Sequence, residues 1–391
     1  MTYGTVIQTP ERPIGEQWAW LTDVGTSFNG NEDRIPLLRY PRRTFTGNFR
    51  FDDVLDLRRH IAMMTKRFRT EFQFPLWQYQ AKLKMKLTAG DTVAYINPAR
   101  GDFRVGGAAI VVEGVKFEQV EIAEVNADNV VFVDPLANAY TSRGLVVPIT
   151  TVFTNTNASI TRQNPDHSAT SSFTFVERML PTLPFLPPSN DIALTMFDGL
   201  PVLPYVPIGT GFDGNVATGL QAIDYVGLMD FISPWTVEQW AHNLTFKASH
   251  LGTSQDFAWW QKFADTIQGS ANPFLFPTNR SDLGIVTPAN GGGGVVTVSG
   301  DEYTQHYWNH GAFSRIFIDS DAGRHYAKIT AVASVAGDDR LTFAPALPAG
   351  AAWSSNQKIG FLLKLRNDND KISCNHYGLW TEVSMAVRTV V

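Results

Sequence analysis

Cysteine is nearly absent: Cys374 is the only one in the chain, which excludes an internal disulfide framework and any cluster of cysteine metal ligands. Charge is scarce as well. Charged residues make up 18% and the formal net charge is -5, so the basic footprint of a nucleic-acid binder is missing. No apolar run approaches the roughly 20 residues needed to span a bilayer. Met1-Thr2-Tyr3-Gly4 offers neither a basic nor an apolar stretch, so no signal peptide is read there. These absences predict a soluble protein made in the cytoplasm, which could still act elsewhere if carried out as part of a particle.

What is present suits β-rich domains. Apolar residues reach 44%, enough for real cores, and 391 residues exceed the usual single-core size, so two domains or more are expected. Phe (26), Gly (31) and Pro (22) are plentiful, as in short strands joined by turns.

One pattern occurs twice. Asn48-Phe49-Arg50-Phe51 leads through an apolar-periodic stretch to Phe72-Gln73-Phe74-Pro75, and Asn243-Leu244-Thr245-Phe246 leads through another to Phe274-Leu275-Phe276-Pro277. The first stretch, 52–70, carries Val54, Leu55, Leu57, Ile61, Met64 and Phe68 at helical spacing, with Asp52 and Asp53 at its start. The second, about 256–268, carries Phe257, Trp260, Phe263, Ala264 and Ile267, with Gly269 as its stop. Each Phe-x-Phe-Pro reads as a strand ended by proline. Strand-like segments follow each helix, and Glu121-Ile122-x-x-Val125 with Val133-Asp134-Pro135 parallels Lys328-Ile329-x-x-Val332 with Phe343-Ala344-Pro345. Closing strands are expected at Ser171–Arg178 and Leu379–Val390.

The predicted fold class is mainly β with a few helices (α+β): two related sandwich- or barrel-like modules, each with a helix and an inserted small β-subdomain. The first spans 1–178 with its insertion at about 85–150. A proline-rich strap covers 179–215. The second module spans 216–391 with its insertion at about 285–360.

Candidate chemistry is thin. His306 and His310 have the spacing of two zinc ligands on a helix, but the glutamate of a His-Glu-x-x-His motif is missing and the surroundings read as loop or strand. Cys374-Asn375-His376 juxtaposes a thiol and a base. Neighbours in a strand point to opposite faces and a catalytic histidine is normally close in space, so a packed thiol is expected. Asp319, Asp321, Asp338, Asp339, Asp368 and Asp370 offer carboxylates for glycoside hydrolysis, all in turn-like contexts. Asn367-Asp368-Asn369-Asp370 lacks the glycine and distal glutamate of a calcium loop. Gly291–Gly294 is a flexible loop, since no Lys-Ser/Thr follows it. No enzyme, cofactor or metal is expected. Two surfaces remain. Arg39, Arg42, Arg43, Arg58 and Arg59, with Lys66, Arg67 and Arg69, form either a solvated helix face or a patch that meets an acidic neighbour. Tyr303, Tyr307, Trp308 and Phe313 are aromatic loop residues suited to an interface or, alternatively, to a sugar. Arg34–Arg43, with two prolines, reads as an edge strand or an extended arm.

Taken in order, several short motifs resemble a family of tailed bacteriophages, the tail-tip or baseplate proteins. They are Trp20-Leu21-Thr22-Asp23-Val24, Gly30-Asn31-Glu32-Asp33-Arg34, Pro41-Arg42-Arg43, Phe74-Pro75-Leu76-Trp77, Phe197-Asp198-Gly199-Leu200-Pro201-Val202-Leu203, Gly269–Phe274, Phe276-Pro277, Phe361-Leu362-Leu363 and Arg366-x-Asp368. Asp33 and Thr278-Asn279 stand where the family often has Gln and Trp. The resemblance covers most of the chain. It implies a virion structural role without enzymatic residues: a distal-tail or baseplate ring, assembled in the bacterial host cytoplasm. The expected partners are the tail tube, hub and fibre proteins, and neither a membrane nor specific nucleic acid. A hexamer, or a trimer with pseudo-sixfold symmetry, would be the ring. The alternative is a receptor- or glycan-binding tail protein.

Overall fold

The computed structural model describes residues 6, 8–27, 31–67, 70–154, 159–164, 168–178, 192–209, 215–217, 221–225, 228–232, 239–250, 256–289, 291–308, 311–350 and 358–390. It is mainly β with few helices, and among the described residues every ladder between strands is antiparallel. Among the described residues, 21 strands join in one pairing network.

The first half contains β1 (Ile14–Ala19), a separate hairpin of β2 (Thr22–Thr26) and β3 (Glu32–Pro36), then β4 (Arg42–Phe51), α1 (Val54–Arg67) and β5 (Phe72–Pro75). β6 (Ala108–Glu113), β7 (Lys116–Val125), β8 (Asn129–Phe132), β9 (Leu145–Thr154), β10 (Ile160–Asn164) and β11 (Ser168–Glu177) follow. The second half contains β12 (Asn215–Ala217), β13 (Gln239–Ser249), α2 (Phe257–Ile267), β14 (Phe274–Pro277), β15 (Arg315–Ser320), β16 (Gly323–Val335), β17 (Asp338–Ala344), β18 (Lys358–His376) and β19 (Trp380–Thr389).

Local chemistry explains the helices. The Asp53 carboxylate accepts the Leu55 amide at 2.8 Å and caps α1, which buries Leu57 and His60 and leaves Arg58 and Arg59 in solvent. Asp256 does the same for α2 through the Ala258 amide at 3.1 Å. α2 stops where Gln268 turns left-handed, with Gly269 following at φ +68°. Unlike α1, α2 is buried on nearly all sides, from Phe257 to Ile267.

The halves meet through β1. It pairs with β4 on one side and with residues 371–376 of β18 on the other. The sheet therefore runs without a break through β11, β4, β1, β18, β19 and β13. One hydrophobic core fills both halves, from Trp18, Phe45 and Phe74 to Phe257, Phe276 and Met385. The N-terminal segment, which sequence position places in the first module, is thus shared by both. Leu83, Ala94, Val111, Ile122 and Phe132 form a separate core in the region where the first insertion is expected, whereas Val296, Ile316 and Leu341 belong to the main core.

Of the proline-rich strap, 192–209 is described. Its middle is packed, with Val202 and Leu203 fully buried and the Leu203 amide donating to the Leu275 carbonyl, while Met196, Val206 and Ile208 are exposed. The remainder of the expected strap, 179–191 and 210–214, lies outside the described residues. The extended-arm alternative for 34–43 gives way to strands: Arg34–Pro36 ends the β2–β3 hairpin and Arg42–Arg43 begins β4.

Candidate functional site

Strand parity dictates the most unusual feature of the interior. In β1, Ile14, Glu16 and Trp18 face inward. In β4, Arg43 shares the inward face with Phe45 and Phe49, and in β11 Glu177 shares it with Phe173 and Phe175. Three charged side chains therefore enter the core with the aromatics. Ions there persist only when paired and fully hydrogen-bonded.

Each of the three is paired. Glu16 Oε1 accepts from Trp18 Nε1 at 2.7 Å and Arg43 Nε at 2.8 Å. Glu16 Oε2 accepts from Tyr79 Oη at 2.9 Å and Gln78 Nε2 at 3.1 Å, and lies 3.3 Å from His376 Nε2. Arg43 Nη1 reaches Asp102 at 2.5 Å and Glu177 at 3.4 Å. Arg104 pairs with the same two carboxylates, and Thr150 donates to Glu177 at 2.6 Å. The Arg43 guanidinium also lies over the Phe45 and Tyr79 rings.

Burial alone would raise the Glu16 carboxyl, but the Arg43 charge and hydrogen bonds from His376 and Trp18 outweigh it and hold the group well below the usual carboxylate range. Asp102 behaves alike: burial opposes ionisation, and Arg104 and Arg43 hold its pKa down. Burial opposes the Arg43 charge too, and Glu16, Glu177 and Asp102 override it. Beside the network lies a cavity of 160 Å³ lined by Asp102, Arg104, Gly106, Thr150 and Arg178 among others.

A second cluster ties β3 to β18 and β19. Arg366 of β18 holds Glu32 of β3 through two bonds of 2.6 Å, and donates to Asp368 at 3.0 Å. Arg388 of β19 reaches the other oxygen of Asp368 at 3.2 Å. Asp370, left-handed at φ +57°, accepts from the Thr22 amide at 2.7 Å, the Thr22 hydroxyl at 2.9 Å and the Ser270 amide at 2.6 Å. A Cβ on Gly269 would stand 2.5 Å from Asp370 Oδ1 and 2.9 Å from Trp20 Cβ. Only glycine fits there.

The expected basic patch does not survive intact. Arg39, Arg42, Arg58 and Arg59 are exposed, and Arg59 pairs with Asp56 at 3.1 Å. Arg43 is a correction: alternation along β4 sends Arg42 outward and Arg43 into the core. The side chains of Arg67 and Arg69 lie outside the described residues.

Tyr303, Tyr307 and Phe313 gather around Phe361, and Trp308 stands beside Tyr303 toward solvent. Tyr307 and Phe313 lie 5.0 and 4.9 Å from that ring, and buried Tyr303 donates its hydroxyl to the Phe313 carbonyl at 3.0 Å. Trp308 alone of the four is exposed. Tyr303–Tyr307 is a π-helical turn, where loop or strand was expected. His306 is exposed on that turn, and His310, the other histidine of that spacing, lies outside the described residues.

Cys374 and His376, two apart, share the buried face of β18 rather than opposing ones. Burial, reinforced by the Glu16 charge, pushes the thiol well above its ordinary value. His376 Nδ1 lies 2.8 Å from the Thr381 hydroxyl, so both ring nitrogens have structural partners. Asn367–Asp370 is an irregular step within β18, closed by its own side chains, as in Asn367 Nδ2 to the Lys371 carbonyl at 2.9 Å.

Sequence reading missed Glu16, Asp102, Arg104 and Glu177. Parity was the available signal for Glu16 and Glu177, each alternating with large apolar residues. No protein-family model matches this chain, and no curated protein matches it in sequence.

Proposed function

We propose that this chain is a structural component of a bacteriophage tail tip or baseplate, forming a ring that joins the tail tube to hub or fibre proteins. The observation that carries this reading is the meeting, at one seam, of motifs quoted above for the family resemblance. Trp20 and Thr22, Glu32, Gly269 and Ser270, and Arg366 with Asp368 come from four separate segments and contact one another or share Asp370. The Pro41-Arg42-Arg43 motif supplies the central cation of the buried network beside it. The charged groups of these motifs serve to clasp strands.

We also read the halves as two copies of one module. β4 pairs with β11 as β13 pairs with β19, β5 with β9 as β14 with β18, and β6 with β9 as β15 with β18. A duplicated module allows three chains to present six similar units, which adapts a sixfold tube to a threefold hub.

Electron microscopy of the purified full-length protein, alone and mixed with tail-tube protein, tests the proposal. Rings of threefold or sixfold symmetry that dock onto tubes are expected. A monomer with no affinity for tail proteins overturns it, and saturable glycan binding by that monomer would favour the receptor-binding alternative.

A further inference from the structure

Within the chain, β1 fills a gap between two strand edges: β4 of the first half and residues 371–376 of β18 in the second. The corresponding strand of the second half is β12. Asn215, Val216 and Ala217 pair with Ala241, Trp240 and Gln239 of β13, as Gly15, Glu16 and Gln17 pair with Thr46, Phe45 and Thr44 of β4. The two registers coincide when the repeated Asn48 and Asn243 are superposed in sequence.

The strand of the first half that corresponds to 371–376 is β10. Asn48 pairs with Ser172 and Asn243 with Ala386. Moving along those ladders, Ile160, Thr161 and Arg162 pair with Ser171, Thr170 and Ala169, where Ile372, Ser373 and Cys374 pair with Met385, Ser384 and Val383. The residues match one for one. Yet β18 is covered by β1, whereas β10 and β12 each have a partner on one side only among the described residues. Ile160, Thr161 and Arg162 are exposed along that edge. An uncovered edge with an exposed isoleucine is a template for further strand pairing.

We propose that β12 of one copy covers β10 of the next, repeating between chains the seam that β1 makes within the chain. The inference rests on reading the halves as copies of one module and the protein as a ring. Both strands then run antiparallel, as at β1. In the internal seam Glu16 lies opposite Cys374 and Gln17 opposite Ser373. Between copies, Val216 therefore faces Arg162, and Ala217 faces Thr161. The contact joins two different edges, so it is head-to-tail and propagates until the ring closes.

Cross-linking between two single variants of the full chain tests this. Directly opposed residues of an antiparallel ladder lie about 4.5–5.5 Å apart at Cα, within disulfide range. Val216→Cys mixed with Arg162→Cys under mild oxidation should yield covalent dimers. Neither variant alone should, nor should the mixture of Val216→Cys with Thr161→Cys, which are not opposed in that register. The untreated protein is weighed in parallel by light scattering. Absence of cross-links in a protein that weighs several chains would overturn the β12–β10 contact and leave the ring reading standing. A protein that remains one chain at every concentration would overturn both.

Discussion

Glu32 and Arg366, 334 residues apart in the chain, meet as a two-point carboxylate–guanidinium pair with both distances 2.6 Å. Both side chains are almost wholly buried, at 4% and 6% exposed. The pair ties the β2–β3 hairpin to the longest strand of the second half. Its geometry is the planar fork that only arginine supplies.

Removing one partner leaves the other charged in a dry site. Glu32→Ala is expected to cost about 3 kcal/mol, and Arg366→Lys nearly as much despite keeping the charge. Chemical denaturation checks both. The double variant Glu32→Ala/Arg366→Ala should lose clearly less than the sum of its single variants.

Gly269→Ala should destabilise by at least about 1–2 kcal/mol from the left-handed backbone alone. Its Cβ would also meet Asp370 and Trp20 at 2.5 and 2.9 Å. Thermal unfolding measures the loss. Gly114→Ala, left-handed at φ +62° but with nothing within 4 Å, separates the backbone cost from the clash.

Two pH windows follow from the buried groups. His60, wedged between Phe49 and Phe51, is held neutral by burial with its pKa lowered to about 4. The unfolded chain binds its proton near pH 6.5, so stability falls as pH drops from about 6.5 toward 4. His60→Phe should flatten that slope. Glu16 and Asp102 have lowered pKa values, so their contribution is complete above the unfolded carboxyl range near pH 4 and is lost as pH falls below it. Denaturant midpoints across pH 3–7 check both windows.

Much of this fold was legible in the sequence. Period-3.6 apolar spacing located both helices to within a few residues, and the alternating aromatics of Phe72–Pro75 and Phe274–Pro277 located two strands. What failed was parity. Arg43 was grouped with its surface neighbours although it alternates with Phe45 and Phe49, and Glu16 was passed over between Ile14 and Trp18. The partnership of Glu32 with Arg366 could not be read at all. It depends on β1 crossing between the halves, a long-range pairing that local pattern does not encode.

Cys374 should resist thiol reagents at pH 8 in the folded protein and react fully once unfolded. Burial and the neighbouring Glu16 charge both oppose the thiolate. Labelling monitored by intact mass gives the answer, and rapid labelling of the native protein would show that the β1–β18 seam opens.

Electron microscopy of the purified full-length protein addresses the central claim most directly. Closed rings in which each chain contributes two similar units, with β12 of one chain against β10 of the next, are the predicted result. Isolated single chains that neither close into rings nor dock onto tail tubes would contradict it.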